Sequence, residues 1–541
     1  MKNRLAIILF VAAMVFPLSS CLKETQPTGT ITKERLDEVI EQDPDKYAAQ
    51  VQAIYNDIQD WEGVGQSHNY FGQMGFNYLT SLMGNDMVMT GRYGMSIYHY
   101  LLDYWQHNYA PAEIRWQEYY KHIADANVIL RDIPADTEDP TLLQYRAVAL
   151  GIRGYSYLQL SYLFQHSYYV GADDTKWGKG DHYDFSNDPL CPLITEKTGE
   201  EDQPRATVDA IFTQLIGDLE ASFALFEDLG AVHTPFATDF DGCVVANYLA
   251  RAYMIKHDWK NAKKYASVIM DEYGVLSGDQ LLQGFNSISL PDVVFGCDIT
   301  ADNTGIYRSW FSMMDYFGDG YAGIGVWRAG FGPFVDAIAD NDIRREWFLD
   351  LRNEYLGLAS VLYQSIKFIG AGRSKVFATI KVDEEGYPSW DGSGWELGDY
   401  IYLRSEEAYF MYIECLAHEG NLDDSAELLT AFMQTRQPGY ECPATDKASL
   451  IEEIIFQKRV EFWGEGMEFL DNRRLNIPVD RTAETWGAPS QKDEERLFTP
   501  GVNNHYPGAD GYWDQEDENF LYQLPDSEME TNPKITEEDQ N

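Results

Sequence analysis

Two stretches of the chain combine aromatic rings with polar groups among glycines, so each could offer ring faces and hydrogen-bonding groups to a ligand. They are residues 85–100 and 307–327. A sugar ring has an apolar C–H face and a rim of hydroxyls, so its binder needs an exposed aromatic ring beside planar polar groups. The candidate ligand-binding residues are Asp86, Arg92, Tyr93, Trp310, Tyr316 and Trp327. For each ring taken alone, the alternative is that it covers a hydrophobic core.

Motifs for catalysis are scarce. Gly318, Gly320 and Gly323 match GxGxxG, but the flanking residues have neither the strand nor the helix pattern of a dinucleotide site. The chain contains no HExxH, GxSxG or GxxxxGK[ST] motif, and its carboxylates are too abundant for any one pair to indicate glycoside hydrolysis. We therefore expect a protein that is not an enzyme, with a cell-surface glycoside hydrolase as the weaker alternative.

The charge of the chain limits its partners. With 87 acidic and 41 basic residues, its net charge is −46. Such a surface repels phosphate backbones, so we expect no nucleic-acid binding and a ligand that is neutral or cationic. Acidic clusters such as Asp239 with Asp241 are expected as solvated faces at this charge. We predict no cofactor, and a structural calcium stays open as the alternative.

The elements that must position these residues are helices. From residue 206 to 226 the hydrophobic residues recur on one helical stripe. Segment 244–273 adds the small residues Ala262 and Ala266 after a break at His257-Asp258, which is the spacing of a tetratricopeptide helix pair. The four predicted pairs are 244–273, a looser copy at 406–436, 46–60 with 113–133, and 142–165 with 206–229.

The predicted fold class is mainly α, with a tetratricopeptide-like scaffold of about four helix pairs and long irregular insertions that form a satellite subdomain. Loops of this length inside one body are usually functional. The scaffold covers 46–60, 113–165, 206–273 and 404–474, the insertions cover 61–112, 166–205 and 274–403, and a C-terminal irregular region covers 475–541.

The N-terminus has the pattern of an export signal. A basic start and a short apolar run end at Leu18-Ser19-Ser20-Cys21, which resembles a bacterial lipobox. We predict a lipoprotein signal peptide over 1–20, lipidation at Cys21, a tether over 21–45, and a single body over 46–541. A plain cleaved signal is the alternative.

Four blocks of the sequence resemble conserved blocks of the SusD/RagB family. They are 149–170, 399–416, 522–533 and, most specifically, IIFQKRVEFWGEGMEFLDNRR at 454–474. The resemblance implies an outer-membrane lipoprotein, exposed at the cell surface, that sits on a SusC-like TonB-dependent barrel and captures nutrients, usually glycans. Capture of a peptide or another nutrient by the same architecture is the alternative.

The charged residues of these blocks are expected to be structural. They lie on helices that also carry residues such as Ile454, Phe462 and Phe469, and a buried charge requires a partner. We predict that ion pairs join these helices to their neighbours through Arg404, Glu406, Glu414, Arg459, Glu461, Glu465, Asp471 and Arg473.

Overall fold

Helices dominate the computed structural model, and the mainly α fold class is as predicted. The structure describes residues 46–60, 68–89, 96–100, 102, 106–171, 175–177, 182–300, 308–318, 320–322, 328–349, 362–370, 381–382, 388–389, 398–482, 510–515 and 520–541. The predicted signal, Cys21 and the tether lie outside these residues.

The α-helices, in chain order, are α1 (Lys46–Gln59), α2 (Gly72–Ser81), α3 (Ser96–Tyr100), α4 (Ala110–Asp132), α5 (Pro140–Phe164), α6 (Val208–Leu229), α7 (Gly242–Ile255), α8 (Trp259–Glu272), α9 (Trp310–Met314), α10 (Gly332–Asp336), α11 (Ser405–His418), α12 (Leu422–Met433), α13 (Lys447–Glu461), α14 (Met467–Leu475) and α15 (Asp526–Thr531). Short 3₁₀ turns cover Gly278–Leu282, Ile343–Trp347 and Glu537–Asp539.

Helix α6 illustrates how the sequence sets these elements. The Thr207 hydroxyl accepts a hydrogen bond from the Ala210 N–H, which caps the first turn. The hydrophobic stripe, including Phe212 and Leu219, is buried. The helix ends at Gly230, whose φ of +65° lies in the left-handed region that glycine adopts without strain.

Three of the four predicted helix pairs are observed: α7 with α8, α11 with α12, and α5 with α6. The fourth prediction, 46–60 with 113–133, is wrong, because α4 packs mainly against α5. A short connection joins these two long helices and makes them neighbours. Helix α1 reaches α4 through an ion pair of 2.6 Å between Asp57 and Lys121. The tetratricopeptide geometry of the pairs stays a prediction.

The predicted insertions contain short strands. The strands are β1 (Met87–Met89), β2 (Tyr169–Gly171), β3 (His182–Asp184), β4 (Pro189–Pro192), β5 (Arg205–Thr207), β6 (Val293–Cys297), β7 (Arg328–Phe331), β8 (Phe348–Leu349), β9 (Leu362–Ser365), β10 (Lys381–Val382), β11 (Pro388–Ser389), β12 (Tyr400–Arg404), β13 (Val479–Thr482) and β14 (Asp510–Trp513).

One antiparallel sheet joins two insertions that are far apart in sequence. Its strand order is β1-β7-β9-β8, with Val88 opposite Ala329. Strand β1 belongs to the first predicted insertion and the other three strands belong to the third. A separate pair, β6 with β12, runs beside the helical scaffold. Residues Ala48–Asn541 form one compact unit.

A cluster of buried charges lies where β12, α11 and α13 meet. Glu461 accepts hydrogen bonds from three guanidinium groups: Arg436 at 3.0 Å, and Arg404 and Arg344 at 3.4 Å each. All four side chains are almost fully buried. Arg404 also pairs with Glu465 and Glu406, so the predicted ion pairing of these residues is confirmed.

A second buried group joins α13 and α14 to α11. Arg474 forms ion pairs with Glu414 at 2.6 Å and Asp471 at 2.7 Å, and Lys458 pairs with Asp471 at 3.0 Å. The prediction is wrong for Arg473, which donates to the carbonyls of Gln165 and Phe520 instead of a carboxylate. Burial lowers the pKa of Arg473 to about 9.

Candidate functional site

Two of the sequence-predicted ligand residues are in the core. Trp310 is 1% exposed and packs edge-on against Phe368, with ring centroids 5.0 Å apart. Asp86 is 3% exposed, and its carboxylate accepts hydrogen bonds from Arg459. The expectation that these side chains are exposed is therefore wrong, because neighbouring elements close over both of them.

Of the four remaining predicted residues, the structure describes only Tyr316. Tyr316 is half-buried, and its ring lies 5.0 Å from that of Phe317. Both rings pack against Ile366 and Ile369, as expected for aromatic residues that cover a satellite core. A ligand role for Tyr316 stays a prediction. Arg92, Tyr93 and Trp327 lie outside the described residues.

The structure instead places a cleft of about 350 Å³, with both polar and apolar walls, between α1, the loop 231–241 and the β6–β12 pair. This volume is within the range of small-molecule sites, about 300–1,000 Å³. We call it the α1–β6 cleft, and none of the three predicted residues that the structure describes, Asp86, Trp310 and Tyr316, lines it. Its lining is Gln52, Tyr55, Asn56, Ile58, Gln59, Thr238, Asp239, Phe295, Gly296, Cys297, Asp298 and Tyr402.

The lining of the α1–β6 cleft is suited to hydroxyl groups and to apolar ring faces. Three amides and two carboxylates supply planar hydrogen-bonding groups, and two tyrosines and a phenylalanine supply rings. Its described lining contains no lysine or arginine. Anionic ligands would therefore find no countercharge in this cleft.

Hydrogen bonds hold the three walls of the cleft together. The Gly296 N–H donates to the Ala237 carbonyl at 2.8 Å, which joins β6 to the loop 231–241. The Phe240 N–H donates to the Tyr55 hydroxyl at 3.3 Å, and the Cys297 thiol donates to Gln59 Oε1 at 3.2 Å. The cleft is thus formed before any ligand arrives, which lowers the entropic cost of binding.

Two groups at the bottom of the cleft stay protonated at neutral pH. Burial raises the pKa of the Cys297 thiol to about 12, with the Asp298 and Asp399 carboxylates adding to the shift. Burial also raises the pKa of Tyr402 well above its usual value. The thiol is therefore a weak hydrogen-bonding group at neutral pH and not an activated nucleophile.

An exposed phenylalanine stands on the same loop as two lining residues. Phe236 is 64% exposed, whereas Thr238 and Asp239 a few positions later line the cleft. The loop is ordered by its own hydrogen bonds, since Asp239 N–H donates to the Phe236 carbonyl at 3.0 Å. An exposed aromatic ring beside this cleft offers a flat apolar surface to a ligand.

The surface next to the α1–β6 cleft leads toward the predicted insertions. Asp60, which follows the lining residue Gln59, forms an ion pair of 2.6 Å with Arg308. His68 of the first predicted insertion is exposed, and its ring nitrogen Nδ1 lies 2.6 Å from the hydroxyl of Tyr321 in the third predicted insertion. The third predicted insertion, 274–403, therefore supplies one wall of the cleft through residues 295–298, although the described candidate residues of that insertion lie elsewhere.

One signal for the cleft was present in the sequence. Gln52, Tyr55, Asn56 and Gln59 occur at helical spacing and form one polar and aromatic face of α1. The opposite walls come from residues about 180 and 240 positions later, which no local pattern joins to α1. No group of three metal-ligating side chains is present within the part of the chain that the structure describes.

Two sequence profiles of one family match the chain. The profile SusD-like_3, described as "Starch-binding associating with outer membrane", matches residues 36–254. The profile SusD_RagB, described as the SusD family, matches residues 362–541. No curated protein matches the chain.

Solved structures share the fold over almost the whole chain. A SusD-like carbohydrate binding protein from Bacteroides vulgatus is 21% identical, with a TM-score of 0.71 over 92% of this chain and 98% of that one. A SusD superfamily protein from Bacteroides thetaiotaomicron is 17% identical, with a TM-score of 0.69 over 92% and 99%. Surface glycan-binding protein A from Bacteroides uniformis is 15% identical, with a TM-score of 0.61 over 92% and 99%.

Proposed function

Since the chain belongs to the SusD/RagB family, we propose that it is a non-catalytic glycan-binding lipoprotein of the cell surface. It captures an oligosaccharide or polysaccharide and passes it to a partner TonB-dependent transporter. Two of the similar structures are of a carbohydrate binding protein and a surface glycan-binding protein, which supports the same class of ligand here.

The observation that carries this proposal is the composition of the α1–β6 cleft. It combines aromatic rings, amides and carboxylates in about 350 Å³ of preformed space, without a cationic side chain in the described lining. A neutral sugar needs these groups and needs no countercharge. A shallow site of this kind supports a binding free energy of about −4 to −6 kcal/mol, or roughly millimolar to tens of micromolar affinity. Weak binding suits a protein that must release its ligand to a transporter.

The proposed anchor is a lipid on Cys21, which follows the lipobox-like residues Leu18 to Ser20. Among the described helices, none has the length and hydrophobicity to cross a membrane. The proposed location is the outer membrane, where a SusC-like barrel is the partner.

Replacing Gln52 and Asn56 together with alanine should weaken glycan binding by about tenfold or more. Each lost neutral hydrogen bond costs about 0.5–1.5 kcal/mol, and both residues are exposed, so the fold should be unaffected. The measurement is titration calorimetry against a panel of host, plant and microbial polysaccharides. Gln283→Ala, an exposed glutamine away from the cleft, is the matched control. Equal binding by the parent and the double variant would place the glycan elsewhere.

Cys21→Ala should release the protein from the membrane fraction without reducing its thermal stability. The residue precedes the predicted body at 46–541, so the folded core does not depend on it. Fractionation of cells that express the parent and the variant, with melting curves of both, tests this. Retention of the variant in the outer membrane would contradict lipidation at Cys21.

A further inference from the structure

A small cavity inside the helical scaffold has more cationic than anionic side chains in its lining. It has a volume of about 30 Å³ and lies where α5, α7, α11, α13 and α14 meet, so we call it the scaffold cavity. The lining cations are Arg251, Lys458, Arg473 and Arg474, and the lining carboxylates are Glu407 and Asp471. This excess of positive charge lies inside a chain whose net charge is −46.

Arg473 is the one lining cation that lacks a carboxylate. The other three form the ion pairs Arg251–Glu407 at 2.6 Å, Lys458–Asp471 at 3.0 Å and Arg474–Glu414 at 2.6 Å. Arg473 is 4% exposed and forms no ion pair within the part of the chain that the structure describes. Its two hydrogen bonds go to backbone carbonyls, which carry no net charge. One buried positive charge is therefore left without a counterion.

The unmatched charge acts on a neighbouring side chain. The pKa of His166 is lowered to about 3, first by burial and then by the positive charge of Arg473. The Nδ1 atom of this ring is also buried without a hydrogen-bond partner in the described ranges. No protein carboxylate thus compensates Arg473 on the side of His166.

The lining also contains hydrogen-bond donors that are not fully used. The Ser167 hydroxyl lines the scaffold cavity, is half-buried, and forms no hydrogen bond to another described residue. The Lys458 ammonium has three N–H groups, and its hydrogen-bonded contacts are all with Asp471. Phe212 and Leu470 supply apolar parts of the wall, where charges are poorly screened. Free donors, apolar walls and an unmatched guanidinium group together suit an anion.

We propose that the scaffold cavity binds a single halide ion, chloride under ordinary salt conditions, which neutralises Arg473. The volume corresponds to about two water molecules, so a halide fits, whereas phosphate, sulfate or the carboxylate of a sugar acid is too large. Water alone would fill the space but leave the charge unmatched. Because the ion binds only the folded chain, it stabilises the fold.

The first test compares melting curves of the full chain in sodium chloride and in sodium gluconate at equal ionic strength. Gluconate is too large for the scaffold cavity, and equal ionic strength gives equal screening of the acidic surface. The melting temperature should be about 1–3 °C higher in chloride, and the effect should saturate as the chloride concentration rises.

Two substitutions in the lining assign the chloride response to the scaffold cavity. Ser167→Ala should raise the chloride concentration needed for half of the effect by about two- to tenfold, because one donor is lost. Arg473→Met should abolish the response. The matched control is Arg131→Met at the exposed end of α4, which removes the same charge and should keep the full response.

A second measurement needs no variant, and it decides the question if Arg473→Met does not fold. Crystals of the unaltered protein grown in bromide should show an anomalous scattering peak inside the scaffold cavity, in contact with the Arg473 guanidinium group. Water without bromide at this position would overturn the inference. So would identical melting curves in the two salts, or a full chloride response in a folded Arg473→Met protein.

Discussion

Glu461→Gln should lower the free energy of unfolding by about 3–5 kcal/mol, because removing one partner of a buried ion pair leaves the other charges uncompensated. Three guanidinium groups, those of Arg344, Arg404 and Arg436, donate to this carboxylate in the core. Glutamine keeps the shape of the side chain and removes its charge. Denaturant unfolding followed by circular dichroism measures the change.

The matched control for this substitution is Glu427→Gln on the exposed face of α12, which should change the stability by less than about 0.5 kcal/mol. The pH dependence adds a second check. Burial alone would raise the pKa of Glu461, but Arg436 and Arg404 hold it well below its usual value of 4.5. Its stabilising contribution is therefore complete above about pH 4.5 and declines as the pH falls further. The difference in unfolding free energy between parent and variant should become smaller in that acid range. A difference that does not change with pH would contradict the conclusion that the ionised Glu461 carboxylate stabilises the fold.

Trp310→Ala should destabilise the protein by about 3–5 kcal/mol while leaving the glycan affinity of the folded molecules unchanged. The side chain is 1% exposed and packs against Phe368, so its removal creates a large cavity. Melting curves together with calorimetry on the folded fraction separate the two effects.

Tyr316→Ala, in the same insertion but half-buried, is the matched comparison and should have a smaller effect on stability. If the Trp310→Ala protein melts like the parent but no longer binds the glycan, Trp310 would have to be part of the binding site.

The sequence was sufficient to predict the helical part of the fold. Each helix buries one stripe, and a stripe is visible locally, as in α6. The buried ion pairs could also be predicted, because charged residues such as Glu461 alternate with residues such as Ile454 and Phe462 on helices that must pack on both sides.

The site was harder to predict for a physical reason. Aromatic residues among glycines have the same local pattern whether the chain leaves them exposed or closes over them, and it closes over Trp310. The α1–β6 cleft depends on three segments that meet only in the folded chain, represented by Asn56, Asp239 and Asp298. The polar face of α1 could be recognised in the sequence, but nothing in the sequence of α1 distinguishes the wall of a cleft from a solvated surface.

The charges around Glu461 also have a consequence for the order of folding. Arg344, Arg404 and Arg436 reach their shared partner Glu461 only after α13 has packed in place. A compact intermediate without α13 would bury these three guanidinium groups without the carboxylate that they share, so an intermediate of that kind is unfavourable. We expect the region from β6 to α13 to form in one cooperative step, at a rate limited by closing long loops. Until then the charged side chains of this region stay hydrated by solvent.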